Sequence, residues 1–344
     1  MRVFVTGGSG LVGRHVIGQL VARGDGVRAL ARSEEAAAAV RALGAEPVMG
    51  DLGDDGPDAW LGGTDAVVHA AAIVLARLGW ERFRAANVVA TERLAAAAAR
   101  AGGSVRFVHI SSVAVYGRRT TYDGGANSVS EAFGLDGPMF PGDHYARSKR
   151  EAEQALWRVA AETGLAAVAL RPCVIYGEGD RTFTSRVARA LRRGWAPLIG
   201  DGANLLGVVY AGNVAAAALA ALDRPRVTGA FNVANDGDLT QRRFLERFAQ
   251  GLGVRVRVVR VPRALAWHGA ELADAALRLL RPRGPMSVLK TAVQFLANPN
   301  PYVSSKARAE LGWTPVAAPE EAVERTGRWF RENATARSIA PGRR

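Results

Sequence analysis

Tyr145 and Lys149 stand four residues apart in the run His144-Tyr145-Ala146-Arg147-Ser148-Lys149, which opens a strongly helical stretch reaching about Glu162. On a helix that spacing puts both side chains on one face, with Cβ atoms about 5–6 Å apart. An ammonium beside a phenol favours the phenolate, so the pair predicts a tyrosine pKa pulled below its reference of about 10. Such a phenol can give a proton to a carbonyl oxygen or take one from an alcohol. Ser112 follows the apolar run Val105–Ile110, which reads as a strand. A hydroxyl there can hydrogen-bond the same substrate oxygen and steady the charge that develops on it. A bare Tyr-x-x-x-Lys pair more often marks a solvated helix face. Its force here comes from what precedes it.

What precedes it is a phosphate-binding turn. Arg2–Thr6 reads as a short buried strand, and Gly7-Gly8-Ser9-Gly10-Leu11-Val12-Gly13 leads from it into the helical pattern Val12, Val16, Ile17, Leu20, Val21. Gly7 and Gly10 allow a tight turn and close approach of a pyrophosphate, and Gly13 lets the helix pack against the strand. The N–H groups opening the helix at Leu11, Val12 and Gly13, with the positive end of its dipole, then face two phosphates.

Strands and helices alternate from there. Gly26–Ala31 is a second strand, Glu34–Leu43 a helix and Ala45–Met49 a third strand ending at Gly50-Asp51-Leu52. Ala66–Ala72 is a fourth, Trp80–Arg100 a long helix stopped by Gly102-Gly103, Val105–Ile110 a fifth strand and Ala166–Leu170 a sixth. Phe231–Ala234 is the seventh. This order predicts an α/β fold, a Rossmann-type doubly wound parallel sheet. All strand ends that could meet a cofactor then lie on one side. At the end of the second strand stands Ala31-Arg32-Ser33, with no carboxylate for a ribose diol, which favours NADP(H) over NAD(H) with Arg32 on the 2′-phosphate. Asp51 and Leu52 are placed to meet the adenine. The small side chains of Ala70, Ala71 and Ala72 let a cofactor lie close, and His69 reads as a packed strand residue and not as a base. Residues 118–144 form a long loop rich in Gly, Asp, Ser and Pro.

Composition narrows the class. The chain has 344 residues, 49% of them hydrophobic, and a formal charge of +13. Only Lys149, Lys290 and Lys306 are lysines, so the positive charge is nearly all arginine, scattered and without interleaved aromatics. Nucleic acid is therefore not the expected partner. No apolar stretch is long enough to span a membrane, and Met1-Arg2-Val3 runs straight into the first strand, leaving no room for a signal peptide. The single cysteine, Cys173, fits a reducing compartment, and the expected location is cytoplasmic. No metal site is indicated.

The whole set resembles an extended short-chain dehydrogenase/reductase, of the NAD-dependent epimerase/dehydratase superfamily, over roughly residues 1–330. The family's glycine turn matches Gly7, Gly10 and Gly13; its serine, two residues before a Val-Tyr-Gly, matches Ser112; its tyrosine and lysine match Tyr145 and Lys149. The resemblance implies that Tyr145 exchanges the proton, that Lys149 also holds the nicotinamide ribose, and that the family's helix asparagine corresponds to Asn87. Ser111 is not the expected catalytic serine. Arg171-Pro172-Cys173-Val174 resembles the segment beside the nicotinamide, bringing Pro172, Cys173 and Val174 to the cofactor, with Cys173 read as a packed thiol without chemistry. The implied organisation is a dinucleotide-binding domain over 1–171 with return segments at about 205–235. A smaller, mostly helical substrate subdomain covers 172–204 and 236–330, and a disordered tail 331–344. Dimers are common among such enzymes, so a homodimer is compatible.

Leu205-Leu206-Gly207-Val208-Val209-Tyr210-Ala211-Gly212-Asn213-Val214 lacks the arginine and aspartate that nucleotide-sugar enzymes of the family carry there. It resembles instead the branch of 3β-hydroxysteroid dehydrogenases, sterol dehydrogenases and dihydroflavonol reductases. Apolar stripes between 262 and 296, including Leu265, Trp267, Leu272, Val293, Phe295 and Leu296, suit either the roof of an apolar pocket or packing on the core or a dimer partner. Shallow membrane contact is a third reading of this basic, apolar hairpin. The expected activity interconverts a secondary alcohol and a ketone on an apolar, ring-bearing small molecule. A nucleotide-sugar epimerase, dehydratase or reductase is the alternative, and a cofactor sensor without chemistry is the alternative of another class.

Overall fold

The computed structural model describes residues 1–54, 56–74, 78–102, 105–117, 128–140, 142–280 and 288–333. The first half runs β1 (Arg2–Thr6), α1 (Leu11–Ala22), β2 (Gly26–Ala31), α2 (Glu34–Arg41), β3 (Glu46–Met49), α3 (Pro57–Trp60), β4 (Ala66–His69), α4 (Trp80–Phe83), α5 (Ala90–Arg100), β5 (Arg106–Ile110), α6 (His144–Thr163) and β6 (Ala166–Pro172). The second half runs β7 (Val174–Tyr176), α7 (Phe183–Leu191), β8 (Trp195–Ile199), β9 (Val208–Tyr210), α8 (Ala211–Leu222), β10 (Gly229–Val233), α9 (Gln241–Leu252), β11 (Arg257–Val261), α10 (Arg263–Leu280), α11 (Val288–Ala297) and α12 (Pro319–Glu332).

Seven strands form one parallel sheet in the order β10-β6-β5-β4-β1-β2-β3. Alternate residues of each strand feed opposite layers. Val3, Val5, Val68, Val108 and Val168 join the cluster containing Val16, Ile17 and Leu20 of α1 and Val214 and Ala218 of α8. Phe4, Val67, Phe107 and Ala167 join the cluster holding Trp60, Leu94, Leu156 and Val159 from α3, α5 and α6. The sheet is thus wound on both faces, as the alternation of elements predicts. A separate apolar cluster gathers Tyr176, Leu191, Phe244, Phe248, Val323 and Phe330 from β7, α7, α9 and α12.

Several expectations shift. The fourth strand ends at His69, and residues 70–72 leave the sheet. The helix expected over 80–100 is interrupted by a π turn at Arg84–Val89, centred near Asn87. In the second half the sequence reading gave no strands for the short parallel pairs β7–β9 and β8–β11. α12 reaches Glu332, so 331–332 are helical and not tail; 334–344 lie outside the described residues, as do Gly103, 118–127 of the long loop and the arginines at 281 and 283. No helix among the described residues is long and apolar enough to cross a membrane.

Candidate active site

Parallel strands bring their carboxyl ends to one edge of the sheet. Read along that edge, the segments following β3, β2, β1, β4, β5 and β6 present Asp51-Leu52, Arg32, the glycine turn, Ala70–Ala72, Ser111-Ser112 and Pro172–Val174. At about 4.8 Å per strand this row is roughly 24 Å long. Its chain order reverses between β1 and β4, the switch point where open α/β sheets leave a crevice.

The glycine turn sits at that switch point and is packed against the neighbouring loop. Gly7 has φ +70°, and a Cβ there would stand 2.7 Å from the Ala71 backbone N, so only glycine allows the two loops to touch. A Cβ on Gly13 would lie 2.1 Å from the Gly7 carbonyl oxygen. Gly13 therefore admits the turn's own backbone; the sequence reading had it admitting the strand. α1 is capped by Gly10 with no side-chain hydrogen bond, which leaves its opening N–H groups directed at the crevice. Backbone cradle, helix dipole and the half-buried Ala70–Ala72 fit a dinucleotide pyrophosphate. Farther along, Arg32 is exposed directly after β2, and Asp51 is exposed with Oδ1 accepting the Gly53 N–H at 2.8 Å. Leu52 is half-buried against the α3 side of the core. Glu34 and Glu35 open α2, capped by Ser33, and so leave Arg32 as the charged side chain of the turn.

Ser112, Tyr145 and Lys149 converge at the ends of β5 and α6. The Tyr145 hydroxyl is hydrogen-bonded to Ser112, whose Oγ also accepts the Ala114 N–H at 3.2 Å in the turn after β5. Lys149 Nζ donates to the Ile110 carbonyl at 2.8 Å. The expected lowering of the tyrosine pKa is not found. Burial pushes the Tyr145 phenol up to about 12, the Ser112 hydrogen bond opposes this, and the Asp143 carboxylate adds to it. The lysine charge is held at the Ile110 carbonyl, and its own pKa is lowered to about 8 by burial, against the attraction of Glu153. The resting phenol is protonated at neutral pH, the form that can donate to a carbonyl oxygen.

Two buried polar chains hold this arrangement. In the first, the Thr91 hydroxyl donates to the Asn87 carbonyl at 2.6 Å and so accepts from His69 Nε2 at 2.9 Å. That assigns the ring proton to Nε2 and leaves Nδ1 to accept from the Thr6 hydroxyl at 2.7 Å. Thr6 Oγ1 in turn takes the Ala71 N–H at 3.3 Å. Burial and the Lys149 charge lower the His69 pKa to about 3, so the ring stays neutral, a packed strand residue as its sequence context indicated. Asn87 ends the chain. Its amide accepts the Ile73 N–H at 2.8 Å and donates to the Ile73 carbonyl at 3.0 Å and to Ser148 Oγ at 2.9 Å. Asn87, the expected catalytic asparagine, ties the loop after β4 to α6 through these bonds, and the π turn aims it there.

In the second chain, Ser111 Oγ donates to Glu153, which is fully buried and paired with Arg171 through Nη2 to Oε2 at 2.6 Å. Arg171 Nη1 donates to the Tyr116 hydroxyl at 2.9 Å, and that hydroxyl donates to Asn232 Oδ1 at 2.8 Å. The adjacent serines therefore divide their work: Ser111 turns into the fold and Ser112 towards Tyr145. Cys173 stands between Pro172, which ends β6, and Val174, which opens β7. Its thiol donates to the Ala234 carbonyl at 3.3 Å, and burial pushes its pKa well up, as befits a packed thiol. Sequence reasoning missed Thr6, Thr91, Glu153 and Arg171. One signal was available, since Glu153 stands four residues beyond Lys149 on the same helix face. Among the described residues no group of three or more His, Cys, Asp or Glu could hold a metal ion.

The NAD dependent epimerase/dehydratase family model matches residues 3–234. The chain is 35% identical over 316 residues, 91% of its length and 92% of the relative's, to 4-hydroxy-2-methyl-3-oxo-4-farnesyl-3,4-dihydroquinoline-1-oxide ketoreductase of Stigmatella aurantiaca. It is 32% identical over 337 residues, 94% and 98% of the two chains, to 2-alkyl-3-oxoalkanoate reductase of Stenotrophomonas maltophilia. Among solved structures it is similar to the dTDP-glucose 4,6-dehydratase DesIV of Streptomyces venezuelae with NAD bound, at TM-score 0.70 and 27% identity over 98% of each chain. With the glycine turn at the switch point and a serine, tyrosine and lysine meeting beside it, the chain belongs to the NAD-dependent epimerase/dehydratase family, the extended short-chain dehydrogenases/reductases, and is an NAD(P)-dependent oxidoreductase.

Proposed function

We propose that the protein is an NADP(H)-preferring ketoreductase that interconverts a ketone and a secondary alcohol on a largely apolar, ring-bearing small molecule. The observation that carries this reading is the Tyr145 hydroxyl hydrogen-bonded to Ser112 at the end of β5, where the buried Lys149 is held on the Ile110 carbonyl. The glycine turn and the strand ends beside it would hold a nicotinamide dinucleotide, which when bound would supply or accept the hydride at the carbinol carbon. In the reducing direction Tyr145 gives its proton to the carbonyl oxygen as negative charge grows there, and Ser112 donates a hydrogen bond to the same oxygen. The tyrosinate left behind is reprotonated from solvent, with the Ser112 hydrogen bond favouring it in the interval. Ala70–Ala72 and Pro172–Val174 would border the nicotinamide end of the row, and Arg32 would meet a 2′-phosphate at the other end.

An apolar substrate is supported from two sides. The segments that continue from β4 and β6 past the crevice expose Val74, Leu78 and Val174, and the two relatives named above reduce a farnesyl-bearing quinoline oxide and alkyl-substituted oxoalkanoates by name. Turnover of a panel of cyclic ketones and 3-oxo esters, followed by NADPH and NADH absorbance, tests the reading. NADPH is expected to be the better reductant, and Tyr145→Phe is expected to lower the rate by about 10²–10⁴. Equal rates for wild type and Tyr145→Phe would remove the tyrosine from the mechanism. Thermal stabilisation by sugar nucleotides and by no apolar ketone would transfer the chain to the nucleotide-sugar branch. Cofactor binding with no turnover of any substrate would leave a sensor.

A further inference from the structure

We infer that α10 and the outer face of the β8–β11 pair form a docking surface for an anionic lipid bilayer. Leu272 and Leu265 are 72% and 64% exposed, the highest values among the large hydrophobic residues described. They lie seven residues apart and so on one face of α10, the outward one. The sequence reading allowed this stripe to roof a substrate pocket; its two leucines point instead to solvent. β11 and β8 pair in parallel with Arg257 beside Trp195 and Val259 beside Pro197, and all four are exposed, Trp195 at 52% and Val259 at 43%. Only Pro262 separates β11 from α10, and Arg263 at the start of α10 lies against Gly200 just beyond β8. The sheet pair and the start of the helix are therefore contiguous.

Charge decides what covers this surface. Residues 254–280 contain Arg255, Arg257, Arg260, Arg263 and Arg278 against Glu271 and Asp274, a net positive stretch. Arg255 and Arg257 alternate onto the exposed face of Val259, whereas Arg260 stands beside the buried Leu198 on the other face. The carboxylates here are Asp201, which feels Arg263 and Arg260, and Glu271 on α10, which pairs with His268. A second copy of this chain across a two-fold axis would set arginines against arginines. Anionic headgroups would complement them while the leucines and the indole enter the acyl boundary. With no membrane-spanning helix among the described residues, contact of this kind is peripheral. The inference does not depend on the substrate proposed above, and its test reads binding and not turnover.

The full chain is mixed with vesicles of phosphatidylcholine alone or of phosphatidylcholine with phosphatidylglycerol, and partition is measured by co-sedimentation and tryptophan emission. Binding is expected only with phosphatidylglycerol, weakening as salt rises. Arg255→Gln and Arg257→Gln should each lower partition about fivefold, and Arg260→Gln, on the other face of β11, should change it less. The double variant Leu265→Glu/Leu272→Glu should lose at least about tenfold with an unchanged melting temperature, because neither leucine packs in the core. No partition into anionic vesicles would overturn the inference, as would partition that the double variant leaves intact. A dimer in light scattering that the double variant splits would assign the face to a second copy.

Discussion

The two ends of the cofactor row are built on opposite principles. Around β4, β5 and α6 every polar side chain named in the two relays is buried and has its hydrogen bonds met inside the protein, from Thr6 through His69 and Thr91 to Asn87, and from Ser111 through Glu153 and Arg171 to Asn232. Around β2 and β3, Arg32 and Asp51 are exposed and make at most a local turn contact. The end proposed for chemistry is preorganised before any ligand arrives, because sub-ångström placement of a proton donor matters there. The end proposed for the adenosine moiety needs charge of the right sign at the right strand end, and side chains on a turn suffice. Buried polar networks are rigid when complete and costly when broken.

Three changes sharpen or break this contrast. Glu153→Gln is expected to destabilise the fold by about 3–5 kcal/mol in urea unfolding, since it leaves the Arg171 guanidinium buried without its carboxylate. Replacing both partners together, Glu153→Met with Arg171→Leu, should recover most of that loss. A single-variant loss under about 1 kcal/mol would mean that the network does not hold this end. Next in size is an acid-side effect. Burial and the Lys149 charge lower the pKa of both His69 and His109, so both rings stay neutral in the fold while the unfolded chain protonates them near pH 6.5. Their contribution is complete above about pH 6.5. It declines as pH falls below that value, by up to about 1.4 kcal/mol per pH unit for each ring. Neither ring nitrogen of His109 has a hydrogen-bond partner. His109→Leu should therefore flatten the acid limb of the stability profile and add about 1 kcal/mol at neutral pH. The smallest effect belongs to the open end. Arg32→Ala should weaken NADP binding about tenfold in calorimetry, leave NAD binding unchanged, and move stability by no more than about 0.5 kcal/mol. If wild type binds NAD more tightly than NADP, Arg32 has been misread.

Legibility in the sequence follows the same divide. Local periodicity and turn chemistry carried the glycine turn, the first three strands and the start of α6, because those features are written within a few neighbouring residues. Ser112 faces Tyr145 and Ser111 faces Glu153, since the side of the strand end that each faces is set by alternation. The tyrosine pKa was misjudged because spacing on a helix gives proximity and says nothing of burial, nor that the backbone carbonyl of Ile110 would take the ammonium. Glu153 and Arg171 are partners across two elements, a relation no window of sequence displays. The pairs β7–β9 and β8–β11 were overlooked because strands of three to five residues carry too little alternation to stand out. The π turn was invisible for a related reason: one extra residue shifts a helical pattern without erasing it.

That extra residue has a consequence for how the molecule can change. A π turn spends one more residue than an α turn, so Trp80–Phe83 and Ala90–Arg100 are out of phase by about 100°. The leading segment can aim Trp80 and Phe83 at the His144 ring, 6.1 and 6.0 Å away, while the trailing segment keeps Leu94 and Ala98 in the core. Phase, and not composition, separates the surface that borders the crevice from the surface that secures the fold. A lineage could thus remodel one while conserving the other, and losing a single residue between 84 and 89 would collapse the two into one.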